Sequence, residues 1–211
     1  REDGSVACWG WNDDGQITPP NGRFTQVSVG GVDACGIREG GSVACWGLNL
    51  NGESTPPGGR FTQVSAGGAH TCGIRGDGSA VCWGRNDRGQ TSLRDGRFIQ
   101  VSAGWDHTCG LRDDSSVACW GNNGEGRSTP PDGSFAQVSA GFEHICGIRD
   151  DSSVACWGWD EFGQATPPAN GRFLFIQVSA GGEHTCGIRE DLTVACWGRN
   201  EEGQATPPVP E

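Results

Sequence analysis

The tripeptide Cys-Trp-Gly recurs six times along the 211-residue chain, and its spacing constrains the fold more than any other feature. The copies begin 37 residues apart four times and then 40 apart, at Cys8, Cys45, Cys82, Cys119, Cys156 and Cys196. The longer step comes from an insertion around Asn170 to Ile176. A second phrase, Gln-Val-Ser-(Ala/Val)-Gly, precedes Cys-Gly-(Ile/Leu)-Arg and begins at Gln26, Gln63, Gln100, Gln137 and Gln177. A fixed period of this length indicates a repeat protein, in which each unit buries its apolar face against its neighbours.

Each repeat is predicted to consist of short β-strands, because apolar and polar residues alternate between Gly-rich turns and never recur at helical spacing. In the second repeat we expect strands at 61–66, 70–75 and 79–84, and a short, poorly formed fourth strand near Gln90. Four short strands in about 37 residues are typical of a β-propeller blade. The 37 Gly and 11 Pro would otherwise suggest low complexity, but the period assigns them to turns and connectors.

The predicted architecture is one all-β propeller domain of five complete repeats preceded by a half-blade. Arg1 aligns with Arg38 and Arg75, so the chain begins in the middle of a repeat and Cys8 has no partner. Four interpretations remain open: a six-bladed ring with one defective blade, five blades with an extra hairpin, an excerpt from a longer array, or a blade completed by a neighbouring molecule. The boundaries are 1–23 for the half-blade, then 24–60, 61–97, 98–134, 135–172 and 173–211.

The eleven cysteines recur at one spacing within the repeats. Pairing Arg75 with Ser79 leaves a three-residue loop with Gly78 in the left-handed position, and this register sets Cys72 opposite Cys82. Cysteines facing each other across an antiparallel pair can form a disulfide, worth just under ~3 kcal/mol for a loop of about eleven residues. The alternative is that they are small reduced core residues. The predicted bonds are Cys35–Cys45, Cys72–Cys82, Cys109–Cys119, Cys146–Cys156 and Cys186–Cys196. Disulfides at this density indicate an extracellular or cell-surface location.

The consensus of the repeats runs from a His through an Asp-Gly turn and Cys-Trp-Gly to Asn-x-x-Gly-Gln, and this pattern resembles the repeat of the regulator of chromosome condensation family. The short repeat is most similar to the compact bacterial branch, which includes a secreted β-lactamase-inhibitor protein. The resemblance implies a β-propeller but no single function, since propellers serve as exchange factors, inhibitors, lectins and structural modules. The chain departs from the pattern where Asp33 replaces the repeated His, and where Ser115, Ser152 and Leu192 replace the turn Gly.

Charge and motif content exclude several classes of function. The net charge is −11 and all fifteen cations are Arg, which argues against a nucleic-acid partner because phosphate binding needs clustered cations. No apolar run approaches the ~20 residues that span a bilayer, so membrane insertion is not expected. No catalytic, nucleotide or calcium motif occurs, and we expect no enzyme activity, no cofactor and no metal. The repeated histidines are interpreted as structural hydrogen-bonding residues.

The aromatic residues outside the repeat pattern are the best candidates for a binding face. The six Trp of Cys-Trp-Gly recur at one position and are therefore interpreted as packing residues between blades. A scaffold residue repeats, whereas a binding residue need not. The alternative is that single exposed aromatics carry no function. The candidates are Trp11, Trp105, Phe142, Trp159 and Phe162.

Thr-Pro-Pro or its remnant closes most repeats, and we interpret it as an extended connector between blades. Thr beside Pro is also the composition of O-glycosylated segments. The candidate acceptors are Thr18, Thr55, Thr129, Thr166 and Thr206.

These observations predict a non-enzymatic, secreted or cell-surface propeller that binds a protein partner through its variable loops. The first alternative is a structural subunit that assembles with copies of itself, suggested by the half-blade and Cys8. The second is a carbohydrate-binding propeller, suggested by Trp11, Trp105 and Trp159.

Overall fold

The computed structural model describes residues 3–168 and 174–207, and it contains one three-stranded antiparallel sheet for each complete repeat. Arg1 and part of the insertion at 170–176 lie outside the described residues. The five sheets, called blades 1 to 5, follow one another in chain order. Their strands are β1 (Phe24–Val29), β2 (Asp33–Arg38), β3 (Val43–Gly47), β4 (Phe61–Ala66), β5 (His70–Arg75), β6 (Ala80–Gly84), β7 (Phe98–Ala103), β8 (His107–Arg112), β9 (Val117–Gly121), β10 (Phe135–Ala140), β11 (His144–Arg149), β12 (Val154–Gly158), β13 (Phe175–Ala180), β14 (His184–Arg189) and β15 (Val194–Gly198). A single 3-10 turn at Gly124–Gly126 completes the regular structure of the described residues.

The second strand of each blade packs on the first strand of the next, and all five blades line one central channel of about 310 Å³. The loop between the first and second strands of each blade supplies the channel wall. Glycine is required there, since a Cβ on Gly67 would lie 2.4 Å from the Gly104 carbonyl oxygen of the next blade. The prediction of an all-β propeller with a repeat of about 37 residues is confirmed.

The predicted fourth strand near Gln90 is absent from the described structure, where this segment forms consecutive turns. Asn86 Oδ1 accepts hydrogen bonds from the Thr91 amide at 3.0 Å and from the Ser92 hydroxyl at 3.3 Å. Such side-chain to backbone bonds close the segment on itself and compete with a sheet ladder. Gly89, with φ +81°, completes the reversal. Each blade is therefore a three-stranded sheet in which a turn closed by an Asn, or by Asp160 in blade 4, takes the place of the outer strand.

The hairpin between the second and third strands has the predicted register, with Cys72 opposite Cys82. The Cα atoms of this pair are 4.0 Å apart, as in a non-hydrogen-bonded antiparallel pair. Gly78 has φ +82° in the turn. The structure forms all five intra-blade disulfides, Cys35–Cys45, Cys72–Cys82, Cys109–Cys119, Cys146–Cys156 and Cys186–Cys196.

The repeated Trp packs between blades. Trp83 of blade 2 is 9% exposed and belongs to one core cluster with Cys35 and Ile37 of blade 1. Its indole Nε1 donates to the Glu53 carbonyl oxygen at 2.9 Å, on the connector from blade 1. Phe61 of the same blade meets the indole edge-on, at 5.9 Å between ring centroids. The Trp of each complete blade after the first therefore contacts both the disulfide and the connector of the preceding blade.

The Gln-Val-Ser phrase supplies the polar half of the same interface. Gln63 binds the Val101 backbone twice, accepting from its N–H at 2.8 Å and donating to its carbonyl oxygen at 3.2 Å. Ser65 Oγ accepts from the Ala103 N–H at 3.0 Å. Side chains of one blade thus satisfy the backbone at the edge of the next, which would otherwise be unpaired.

The repeated His connects successive blades by a buried hydrogen bond. His70 Nε2 lies 2.8 Å from Thr108 Oγ1, and His144 Nε2 lies 2.6 Å from Thr185 Oγ1. Burial lowers the pKa of His70 and of His144 to about 4, so both rings are neutral near pH 7. His107 of blade 3 lacks this bond among the described residues, because Ile145 of blade 4 stands where blades 2, 3 and 5 have Thr. The structural interpretation of these histidines agrees with this geometry.

Asp33 replaces His in blade 1 and accepts a hydrogen bond from Thr71 Oγ1 at 3.2 Å. It is 2% exposed, and Glu53 nearby is fully buried. Burial raises the pKa of Asp33 to about 7, with the Thr71 hydrogen bond opposing this rise and the Glu53 charge adding to it. The first inter-blade interface therefore holds a carboxyl group that titrates near neutrality.

Three hairpins keep the left-handed turn conformation without glycine: φ is +66° at Ser115, +64° at Ser152 and +65° at Leu192. A side chain in this conformation costs about 1 to 2 kcal/mol. We expect Leu192→Gly to raise the free energy of unfolding by on the order of 1 kcal/mol, measured by urea denaturation with disulfides intact. Leu50→Gly is the matched control, since Leu50 is 82% exposed against 76% for Leu192 but lacks a positive φ. The control should lose stability; equal shifts in both variants would contradict the strain.

Asp33 should make stability depend on pH. Its folded pKa of about 7 lies above its ordinary value of 3.8, so the folded state binds more protons between these values and stability falls as pH rises through that window. Asp33→Asn should therefore gain stability relative to the native chain from pH 5 to pH 8, at about 1.4 kcal/mol per unit of pKa difference. Urea denaturation at pH 5, 6, 7 and 8 measures this.

The matched control for that series is Asp77→Asn, whose carboxylate lies on the surface and has a pKa lowered by hydrogen bonds from Ser79. Its difference from the native chain should stay constant above pH 5. A constant difference for Asp33→Asn as well would rule out the titration of Asp33 in this window.

Candidate functional site

Four of the five predicted loop aromatics lie together in loops of blades 3 and 4, at one mouth of the channel. Trp105 and Phe142 occupy a position held by glycine in blades 1, 2 and 5, immediately after the channel-lining glycine. Trp159 and Phe162 lie in the loop that follows blade 4. We call Trp105, Phe142, Trp159 and Phe162 the aromatic surface.

Trp105 and Phe142 stack across the interface between blades 3 and 4. Their ring centroids are 4.4 Å apart and their planes differ by 26°. Each residue is 41% exposed, so together they present a flat apolar plate. A Cβ on Gly31 would lie 2.7 Å from Cζ3 of Trp105, which places the indole over the channel mouth beside blade 1.

Trp159 and Phe162 continue the aromatic surface toward blade 5. Their rings meet edge to face with centroids 5.4 Å apart. The Trp159 N–H donates to the Glu143 carbonyl oxygen at 2.9 Å, and Glu143 directly follows Phe142. Arg199 lies over the Phe162 ring, 5.4 Å from its centroid. A continuous series of contacts therefore runs from Trp105 to Arg199.

Carboxylates flank the aromatic surface and hold its two nearest cations. Arg127, 5% exposed, lies 3.3 Å from a carboxylate oxygen of both Asp106 and Glu143. Arg199 Nη1 lies 2.6 Å from Glu183 Oε2. Asp106, Glu143 and Glu183 occupy the same loop position in blades 3, 4 and 5. Glu201 also contacts Arg199, so four carboxylates face two Arg side chains and the border carries a net negative charge.

Two charged groups of this border, Asp106 and Arg199, have pKa values shifted by their contacts. Burial alone would raise the pKa of Asp106, but its interactions with His107, Asn122 and Arg127 outweigh that effect and lower the pKa to about 2. Glu183 and Glu201 raise the pKa of Arg199. Asp106 and Arg199 therefore stay charged across the physiological pH range.

Trp11 does not join the aromatic surface. It is 68% exposed and lies on the N-terminal segment, where it borders a groove of about 620 Å³. The groove runs between residues 4–9 on one wall and β1 on the other, and we call it the edge groove. Trp9, the Trp of the first Cys-Trp-Gly, also lines it and is 86% exposed, in contrast to its buried counterparts. Cys8, also in this wall, is a free cysteine.

The five threonines of the connectors are exposed, and each hydroxyl bonds within the turn that takes the place of the fourth strand. Thr55 Oγ1 donates to Asn49 Oδ1 at 3.3 Å, and Thr206 Oγ1 donates to Asn200 Oδ1 at 3.1 Å. The same bond forms at Thr18 and Thr129, whereas Thr166 Oγ1 donates to Asp160 Oδ2. This agrees with the interpretation of these residues as connectors, and O-glycosylation of the five threonines stays a prediction.

Asp106, Glu143, Arg127 and Arg199 were not singled out from the sequence. The available signal was position: the two acids directly follow the off-pattern aromatics Trp105 and Phe142. No group of three or more His, Cys, Asp or Glu is placed to hold a metal ion within residues 3–168 and 174–207. The helical structure in these ranges includes no segment of the length and apolarity needed to cross a bilayer.

Comparisons with solved structures find plant receptor ectodomains. The chain is 26% identical to the ectodomain of the Physcomitrella patens receptor kinase CR4, with a TM-score of 0.80. The match covers 94% of this chain and 58% of the CR4 ectodomain. It is 29% identical to the ectodomain of the Arabidopsis thaliana receptor kinase ACR4, with a TM-score of 0.74, and the match covers 93% of this chain and 75% of the ACR4 chain. Prp20p of Saccharomyces cerevisiae shares the fold, with 16% identity and a TM-score of 0.75, and the match covers 88% of this chain and 59% of the Prp20p chain. No curated protein matches at the level of sequence.

The sequence profile described as "Regulator of chromosome condensation (RCC1) repeat" matches four stretches of the chain, 61–90, 98–127, 135–164 and 175–204. These stretches span the second to fifth blades and together make up more than half of the chain. The resemblance read from the repeated residues is confirmed, and the chain belongs to the regulator of chromosome condensation (RCC1) repeat family.

Proposed function

We propose that this chain is an extracellular, non-enzymatic propeller module that binds a protein partner through the aromatic surface. The stacked pair Trp105 and Phe142, held half-exposed over the channel mouth, is the observation that carries the proposal. The location is supported by the five disulfides, which persist in oxidising compartments, and by the similarity to two receptor ectodomains.

The aromatic surface is built on a rigid support. The Phe142 N–H donates to the Gly181 carbonyl oxygen of the next blade at 3.0 Å, and the Gly68 N–H donates to the Gly104 carbonyl oxygen at 3.0 Å. The second strands behind these loops carry the disulfides Cys109–Cys119 and Cys146–Cys156. Because the rings are already fixed in place, binding loses little side-chain entropy. Preorganised aromatic residues of this kind dominate the binding energy of protein interfaces.

The acidic border defines the chemistry of the partner. Four carboxylates border the aromatic surface and contact only two Arg side chains, Arg127 and Arg199, which leaves a net negative charge there. A partner with an apolar centre and a cationic periphery complements this arrangement, and its association should be accelerated at low ionic strength. The overall charge of −11 acts in the same direction.

The binding experiment uses fluorescently labelled chain on intact cells of its source organism. We expect saturable binding that falls at least tenfold in affinity for the double variant Trp105→Ala/Phe142→Ala, since two central aromatic side chains are each worth about 2 kcal/mol or more. Ile99→Ala is the matched control, because Ile99 is 61% exposed at the far end of β7 from the channel loop. Intact mass and circular dichroism verify that all variants keep the fold and the disulfides.

Treatment of the cells separates the classes of partner. Trypsin should abolish binding and periodate should leave it unchanged, as a protein partner requires. Loss of binding after periodate alone would replace the protein partner with a glycan, which the stacked plate could also accommodate. Equal binding by the native chain and the double variant would overturn the assignment of the aromatic surface.

A further inference from the structure

The interface between blades 3 and 4 is regular along its strands. Gln100 accepts a hydrogen bond from the Val138 N–H at 2.9 Å and donates to the Val138 carbonyl oxygen at 3.0 Å. Ser102 Oγ accepts from the Ala140 N–H at 2.9 Å. Trp157 of blade 4 packs in one core cluster with the disulfide of blade 3. These are the contacts found at the other interfaces, so the two sheets pack in the ordinary way.

Near the channel the same interface lacks two contacts that other interfaces have. His107 Nε2 has no hydrogen-bond partner among the described residues, since Ile145 carries no hydroxyl. At the other three interfaces, the residue after the channel-lining glycine donates its N–H to a glycine carbonyl oxygen of the next blade at 2.8 to 3.0 Å. These donors are Gly31, Gly68 and Phe142. The Trp105 N–H forms no such bond with Gly141 in the described part of the chain.

Arg127 connects the two blades at the place where these contacts are missing. Its Nη1 lies 3.3 Å from Asp106 Oδ1 in the loop of blade 3 and 3.3 Å from Glu143 Oε1 in the loop of blade 4. Asp106 directly follows Trp105, and Glu143 directly follows Phe142. One cation therefore joins the two loops that carry the stacked rings.

Arg127 is itself held in place. It is 5% exposed, its Nε donates to the Gly124 carbonyl oxygen at 2.9 Å, and its own carbonyl oxygen accepts from Trp157 Nε1 at 3.0 Å. Most other repeats carry Gln at this position. The Gln90 side chain, for example, accepts from the Arg88 N–H at 2.9 Å within its own turn. The change from Gln to Arg thus replaces a bond inside one turn with a contact between two blades.

We propose that Arg127 is the positioning residue of the aromatic surface, and that its guanidinium, by holding Asp106 and Glu143, sets the stacked arrangement of Trp105 and Phe142. A mostly buried guanidinium shared between two carboxylates is a strong and directional contact. The role is indirect, because so buried a side chain offers little surface to a partner. The inference rests on the proposed function, since it gives the stack its importance for binding.

Two variants separate the position of the rings from the stability of the fold. Arg127→Gln restores the residue that most repeats carry, but it leaves two carboxylates without their cation and should lower the free energy of unfolding. The double variant Arg127→Gln/Ile145→Thr also gives His107 a hydroxyl, as Thr108 gives one to His70, and should regain part of that loss. Urea denaturation with disulfides intact measures both.

Two further variants serve as the rescue and the control. Arg127→Lys keeps a cation between the two carboxylates, so it should keep the rings stacked. Arg85→Gln is the matched control, because Arg85 also forms an ion pair with a carboxylate, that of Asp87, but lies in the loop that follows blade 2.

The arrangement of the rings is measured by nuclear Overhauser effects between the ring protons of Trp105 and Phe142. The centroids are 4.4 Å apart, so these effects should be strong in the native chain. We expect them to persist in Arg127→Lys and Arg85→Gln and to be lost in Arg127→Gln and in the double variant. A residue that only stabilised the fold would not lose them in the double variant, which regains stability.

Binding to cells, measured as above, is the second readout. Affinity should fall about tenfold for Arg127→Gln and for the double variant, because a partner must then order the two rings on binding. Arg127→Lys and Arg85→Gln should stay within about threefold of the native chain. Circular dichroism and intact mass verify the fold and the disulfides of each variant.

Two results would overturn the role of Arg127: ring-to-ring effects that persist in the double variant, or the same loss of these effects in Arg85→Gln. Loss of the stack with unchanged affinity for cells would instead support the role of Arg127 and overturn the aromatic surface as the binding site. The two readouts therefore distinguish failure of this inference from failure of the proposed function.

Discussion

Every other feature of this molecule depends on the interface between successive blades. A three-stranded sheet of about twenty residues cannot bury both of its faces, so each blade is stable only against its neighbours. Three recurring contacts build the interface: the Trp that joins a disulfide to the next sheet, the Gln and Ser that bind the edge of the next strand, and the His bonded to the next Thr. The disulfide packs against the Trp at this interface, so it both stabilises its own hairpin and forms part of the surface that the next blade covers.

The interface between blades 3 and 4 departs furthest from this pattern, and it lies beneath the stacked Trp105 and Phe142. Ile145 replaces Thr, and His107 has no hydrogen-bond partner among the described residues. Arg127 replaces the Gln that ends the turn in most other repeats and binds Asp106 and Glu143 beside the aromatic pair. The loss of one regular polar contact is thus accompanied by a new charged network that positions the loops of the aromatic surface. Functional sites are where local regularity is expected to fail.

Much of this structure was predictable because the repeat carries redundant information. Five copies of one spacing placed Cys72 opposite Cys82, and the same register then applied to the other hairpins. The prediction of a fourth strand near Gln90 was wrong, because the Asn86 side chain closes a turn that strand propensity does not reveal. For the site, the off-pattern aromatics were identifiable, but their grouping was not. Trp11 and Trp159 follow the same tripeptide, yet only Trp159 lies within the aromatic surface.

The sequence by itself determined the period, the strand order within a blade, the disulfide register and the positions exempt from the repeat, because each of these is set within a single repeat or by comparing one repeat with the next. Only the tertiary structure decided which exempt residues meet, since Trp105 and Phe142 come together through the rotation between two blades. It also decided that Val27, Val29, Trp9 and Cys8 face one groove. The physical reason is the same in both cases. An inter-blade contact joins residues of two different repeats, so it depends on how neighbouring blades pack against each other.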